Sequence, residues 1–307
     1  MSRAFCRQVL ECASPLALCV DLQMIESGRG LPHSRTLARV SKPQCTVNEP
    51  WRPSLLILAM WILVGGACIT HGAEHPQRFA FDDFFIAPLR VHLLSASNAP
   101  NVHTTLKDAD LTRILAKING IWSQAGLTFH LESLVREEAA NQQLNPVLGT
   151  PNDLQLLLAL RPEGTRDTNL FHLYYVKSFT ANGVYLGEAM FVKDTASLRE
   201  VPGGIDEPIP RVSSHELGHA LTLMHHTNDF HLLARGTTGT NFDAAEITQA
   251  RAAAEKLPWI RKASDVWKQA EESRRSKREA EAKELYRQIA TIPLDERRIR
   301  AAKKRAN

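Results

Sequence analysis

The stretch "SSHELGHALTLMHH", Ser213 to His226, limits this chain more than any other. It holds His-Glu-x-x-His, with two further histidines six and seven places after the second one. On a helix, residues four apart lie about 40° apart around the axis, so His215 and His219 can offer their imidazoles to one ion. Glu216 stands one step round, placed to reach a water on that ion rather than the ion itself. Hydrolysis of a peptide bond needs this arrangement. Zinc lowers the pKa of its water and polarises the carbonyl, while a carboxylate takes the proton. An exposed helix that happens to carry two histidines is the plain alternative, and it leaves Glu216 unexplained.

A hydrolytic zinc takes a third protein ligand and keeps its fourth position open. His225 follows His215 by ten residues, and His226 is its neighbour. Glu246, or Asp243 in "GTNFD", could also supply a carboxylate. Those two acids are three apart and precede "AAEITQARAAAEKL", a pattern that fits a helix capping box instead. The residues alone leave His225 and His226 both within reach.

The run His-Glu-x-x-His-x-x-Thr-x-x-His resembles the metzincin metallopeptidases, including the reprolysin- and matrixin-like bacterial members. Their pattern is His-Glu-x-x-His-x-x-Gly-x-x-His followed by a methionine turn. "INGIWSQAGLTFHLE" looks like their first helix and second strand, and "GTTGTNFDAAEITQARAAA" like their segment after the turn. The likeness covers roughly residues 84–256. It implies that His215, His219 and His225 bind zinc (Zn2+), that Glu216 is the general base, and that the fold is an α+β zincin. Such a fold has a twisted mixed sheet, an active-site helix and a methionine-turn-like loop. It also implies that "NGVYLGEAMFV" forms an edge strand to which an extended peptide substrate pairs. Two positions depart from the family pattern. Thr222 stands where the family has Gly, so the resemblance puts a threonine in a left-handed turn at a cost of about 1–2 kcal/mol. Leu233, in "HLLARG", stands for the methionine, which packs beneath the metal without binding it; leucine has a similar volume. Neither change removes a ligand or the base.

The flanking sequence supports a mixed α/β domain over residues 84–258. "FFIAPLRVHLLSA" reads as a first strand. Leu111, Ile114, Leu115, Ile118, Ile121 and Trp122 recur at helical spacing, with Gly126 placed to stop the helix. "LTFHLESL" alternates as a strand does, and "LFHLYYVKSF" and "GVYLGEAMFV" read as two more, parted by Ala181-Asn182-Gly183. His92, His103, His130, His172 and His231 show no metal spacing and read as surface or strand residues.

The two ends differ from this body. Cys6, Cys12, Cys19, Cys45 and Cys68 all precede residue 69. Residues 53–73 have the form of a secretory signal: Arg52 as the positive flank, an apolar run from Leu55 to Val64, then small residues. The run is short for a spanning helix, which needs about 20 apolar residues. Residues 1–52 then read as an unstructured leader or a start assigned too far upstream. A secreted, periplasmic or cell-envelope location follows. "GGAC" loosely resembles a lipoprotein cleavage box with Cys68 as the lipidated residue, although Gly65 stands where that pattern prefers Leu. From Lys256 onward there are 16 Lys+Arg against 8 Asp+Glu, so a basic tail follows an acidic body. Residues 259–307 read as a helical extension packing Trp259, Trp267, Leu285 and Tyr286 on the domain. The charge of that tail suits an anionic surface such as a membrane. No nucleic-acid recognition motif is present, so nucleic acid is not expected as a partner. The expected activity is that of a zinc-dependent endopeptidase acting on a peptide or protein. The rival expectation is a zinc-binding pseudoenzyme that uses its cleft as a peptide-binding module.

Overall fold

A computed structural model describes residues 79–150, 152–165 and 168–306. The leader, the signal-like segment 53–73 and all five cysteines, Cys68 included, lie outside the described residues.

The fold is a mixed α/β architecture around a six-stranded sheet, as an α+β zincin requires. Strand β1 (Phe85–Ser95) is an inner strand, buried on both faces. Phe85, Ala87, Leu89, Val91 and Leu93 point into the core that the main helices share, and Ile86 into a second apolar cluster on the other side. β2 (Leu127–Glu138) and β3 (Phe171–Val176) flank β1 in parallel, and β5 (Met190–Lys193) runs parallel to β3. β4 (Gly183–Tyr185) pairs antiparallel with β5 and forms the sheet edge. The stretch from Gly183 to Val192 is therefore two short strands rather than one. Gly187, at φ 84°, turns the chain, and the Leu186 amide bonds the Ala189 carbonyl. A two-residue strand β6 (Arg261–Lys262) pairs with the start of β1.

Helix α1 (Asp108–Trp122) buries Leu111, Ile114, Ile118, Ile121 and Trp122, the face set by its apolar spacing. Gly126 follows in a left-handed conformation at φ 64°. A Cβ there would lie 2.6 Å from the Phe79 ring, so only glycine fits the step into β2. Helix α2 (Pro208–Ala220) carries the histidine motif and starts on prolines, whose missing N–H groups cost nothing in a first turn. Helix α3 (Ala244–Glu255) begins with the expected capping box. The Glu246 amide donates to Asp243, and the Asp243 amide donates to Glu246. Both carboxylates thus serve the helix end.

The basic segment forms α4 (Ala263–Arg275), α5 (Glu279–Ala290) and α6 (Arg297–Ala306). Val266, Ala270, Leu285, Tyr286, Ile289 and Ile299 pack with Phe81, Phe84 and Ile86 behind the sheet. Trp267 joins that cluster, whereas Trp259 packs on Phe171 of the main core at 4.6 Å between centroids. Among the described residues no helix is long and apolar enough to cross a membrane.

Candidate metal centre

The helix that carries the motif ends in a way its sequence makes costly. Thr222 adopts φ 68°, a left-handed conformation. The Leu223 amide bonds the Gly218 carbonyl, and the Thr222 amide bonds that of His219. This is the paired 6→1 and 5→2 bonding of a Schellman cap, with threonine where glycine is usual. Gln249 holds the turn from α3, donating to the Thr222 carbonyl at 2.6 Å. The turn redirects the chain, and His225 comes back over the helix.

The three imidazoles then converge. His215 and His219 are buried, and His225 is half-buried. Ring centroids lie 4.7 Å apart for His215–His219 and for His219–His225, and 5.3 Å apart for His215–His225. His215 Nδ1 donates to the Leu232 carbonyl at 2.8 Å, and His219 Nδ1 to the Leu223 carbonyl at 2.9 Å. With the protons on Nδ1, both Nε2 atoms carry lone pairs, and they face each other at 3.1 Å. Two lone pairs do not bond one another. That separation is instead close to the edge of a tetrahedron with metal–nitrogen bonds of about 2.0 Å, roughly 3.3 Å. The structure places His215, His219 and His225 within ligand reach of one another.

Electrostatics keep His215 and His225 neutral, the form that binds a metal. Burial holds His215 well below the usual histidine range, with Arg211 and the other imidazoles adding to the effect. Burial, with His219 and Arg235, lowers His225 to about 3. Glu216 is buried beside them. Burial pushes its carboxyl up to about 8, against the pull of Arg211 and of the Tyr185 backbone amide. Its Oε2 is buried and has no hydrogen-bond partner among the described residues. A carboxylate oxygen left this way asks for a donor or a cation nearby. The donor set, three imidazoles and one orphaned carboxyl oxygen, fits zinc and the water it would carry.

His225 Nδ1 meets Arg235 Nη2 at 3.3 Å, a donor, and His215 Nδ1 meets Arg211 Nη1 at the same distance beside its bond to the Leu232 carbonyl. His226, the rival third ligand, points elsewhere. Its ring stacks on His231, with centroids at 3.8 Å and planes 7° apart, and its Nε2 lies 3.6 Å from Asp243. His226, His231 and Asp243 also lie close enough to share an ion. However, the Asn228 amide donates to His226 Nδ1, which fixes the proton on Nε2, and parallel rings aim their nitrogens side by side. We read this group as a brace for the turn. His231 is thereby neither a surface nor a strand residue, and its Nδ1 bonds Glu246 at 3.0 Å. Among the other histidines, His92, His130 and His172 are strand residues as expected, all buried.

Leu233 sits under the helix, fully buried. A Cβ on Gly218 would lie 3.2 Å from both of its terminal methyls, so leucine fills the floor of the site. Gly183 on the sheet edge lies closer still to Glu216. A Cβ there would stand 2.6 Å from Glu216 Oε1 and 2.5 Å from Val212 Cγ1. A cavity of about 400 Å³ opens from the imidazoles and Glu216 along the N-terminal half of α2. Its wall includes Asn182, Gly183, Lys193, Arg211 and Arg235. The sequence singled out Asn182 and Gly183 only as part of a turn and edge strand, and not Lys193, Arg211 or Arg235. Arg211 could have been noticed, because it lies one helical turn before His215 and so on the same face.

No family model matches the chain, and no curated protein matches it. Among solved structures it is similar to metalloproteinase-II from Bacteroides fragilis, at 12% identity and a TM-score of 0.34. That match covers 54% of this chain and 53% of the other, so the chain spans about half the length of that protein. It is also similar to a zinc-dependent peptidase from Methanocorpusculum labreanum, at 13% identity and a TM-score of 0.26, over 53% of this chain and 98% of that one.

Proposed function

We propose that this chain is a zinc-dependent endopeptidase of metzincin type. One observation carries the reading: the facing Nε2 atoms of His215 and His219 at 3.1 Å, with His225 closing the set beside an unpartnered Glu216 oxygen. His215, His219 and His225 would hold the ion. Bound there, zinc polarises the scissile carbonyl and acidifies water.

The chain's own groups supply the rest. The β4 edge, Gly183 to Tyr185, has one side unpaired by the sheet and suits an extended peptide laid alongside it. Gly183 lets that peptide and Glu216 approach each other. The Glu216 carboxylate takes a proton from the attacking water as its oxygen bonds the carbonyl carbon. It then gives the proton to the leaving nitrogen as the carbon–nitrogen bond breaks. The Tyr185 amide fixes the carboxylate during both transfers.

The test is cleavage of a diverse peptide mixture by the purified segment 74–307 with zinc, read by mass spectrometry, with Glu216→Gln in parallel. Products that disappear in the variant, with zinc content unchanged, support the reading; general acid–base loss should exceed about 100-fold. A folded, zinc-loaded wild type that yields no products would move the assignment to a binding module.

A further inference from the structure

We infer that the cleft selects peptides bearing a carboxylate close to the bond that is cut, received by Lys193 and Arg211. This rests on the peptidase reading and adds the substrate class. The cavity wall holds three cations, Lys193, Arg211 and Arg235, against one carboxylate, Glu216, which faces the imidazoles. A wall of one sign attracts ligands of the other.

Arg211 is a buried guanidinium, 2% exposed, that forms no ion pair. Its N–H groups go to the carbonyls of Gly239 at 3.1 Å and Ala234 at 2.5 Å and face His215 Nδ1 at 3.3 Å, and the acid that acts on it is Glu216, without a direct bond. Lys193, the last residue of β5, is half-buried on the same wall. Its Nζ reaches only the Phe179 carbonyl, at 3.5 Å. The acid that acts on it, Asp153, gives Oδ2 to the backbone amides of Gly149 and Thr180, and its buried Oδ1 has no hydrogen-bond partner among the described residues, Lys193 included. Burial pushes the Lys193 ammonium pKa down, and the pull of Asp153 does not offset it. Taking a charge from water is unfavourable unless a partner offsets it. Two such cations beside the reacting centre form a site that a ligand carboxylate completes with charge-assisted hydrogen bonds. The ligand group is a peptide carboxylate, either an Asp or Glu side chain or the free chain end.

Binding tests this without turnover. Zinc-loaded protein carrying Glu216→Gln is titrated with fluorescent hexapeptides, read by anisotropy. One Asp or Glu is scanned through each position against Asn or Gln, with every peptide made as free acid and as amide. We expect an acidic residue at one position to tighten binding about tenfold, the low end for close charge pairs across an interface. Adding Lys193→Glu should abolish that gain, and Lys193→Met should reduce it while sparing the fold. If amidation removes the gain at every position, the chain end is the ligand; if it does not, the side chain is. Equal binding of acidic and neutral members, indifference to both Lys193 variants, or no binding at all overturns the inference. Wild-type cleavage that ignores acidic residues would sink it and leave the peptidase reading standing. Acid-selective binding without any cleavage would do the reverse.

Discussion

Thr222 concentrates the strain of the site in one residue. At φ 68° it has the conformation glycine takes without cost, and the turn it closes brings back His225. Replacing it by glycine removes about 1–2 kcal/mol of steric strain. It also adds back the entropy of a more flexible unfolded chain, about 0.5–1 kcal/mol. Thr222→Gly should therefore raise the denaturant midpoint by the equivalent of about 0.5–1 kcal/mol, since the Gln249 bond goes to the main-chain carbonyl and survives. A lowered midpoint would show that the threonine hydroxyl, 3.4 Å from Gln249, matters more than the strain. Arg235 supplies a second test at this scale. Zinc on His225 Nε2 needs the proton on Nδ1, where Arg235 now donates, and a guanidinium beside a dication adds repulsion. Arg235→Gln should tighten zinc binding several-fold, measured by competition with a chromophoric chelator. Unchanged or weaker binding would mean that the arginine swings clear when the ion arrives. His215, His219 and Glu216 stood out in the sequence because one helix carries their spacing, and helical period is a local rule, whereas His225 lies past the turn and was named only by the family resemblance. Lys193 and Arg235 reach the same cavity through strand order and loop return, which no local pattern records.

Among elements, the edge of the sheet and the motif helix form one unit. The apolar pattern of "GVYLGEAMFV" suits a strand, and Gly187 is the only mark that it folds on itself. With the hairpin made, β4 takes the edge and Gly183 rests on Glu216. A Cβ at Gly183 would meet the Glu216 carboxylate at 2.6 Å and Val212 at 2.5 Å, closer than real contacts allow. Gly183→Ala should leave the far-ultraviolet circular dichroism intact and still reduce turnover by at least about tenfold, because the carboxylate must move. Full activity in that variant would mean that the edge strand yields instead. Leu233 is the opposite case. It is buried against Gly218, and methionine of similar volume should cost below about 1.5 kcal/mol, with zinc affinity unchanged. The family pattern led us to expect that packing role. The 3-10 segments Gln142–Val147 and Asp153–Leu160 were not legible, because a buried apolar run such as "LQLLLAL" fits any secondary structure that can be covered.

For the whole molecule, the basic segment is a structural layer as well as a charged one. The α4–α6 helices cover Phe84 and Ile86, so the reverse face of the sheet depends on them. His130 lies under this layer on β2. Burial lowers it from 6.5 to about 4, and the opposing pull of Glu284 on α5 does not offset that. His92 is also lowered by burial, but Glu137 stands 2.6 Å from its Nδ1 and would hold an acquired proton in place, so His130 is the cleaner probe. Between those two values the unfolded chain binds a proton at residue 130 that the folded chain refuses. Stability should therefore fall as pH drops from about 6.5 to about 4, by about 1.4 kcal/mol per unit for this one group, and be flat in it above 6.5. Denaturation of wild type and His130→Gln with chelator present throughout, so that metal release adds nothing, isolates the contribution. The variant should lose up to about 3 kcal/mol of the acid-dependent decline. Hydrogen exchange in acid should rise first in α4–α6 if His130 acts where it packs. Parallel pH profiles for the two proteins would place the proton uptake elsewhere and leave this layer held by its apolar contacts alone.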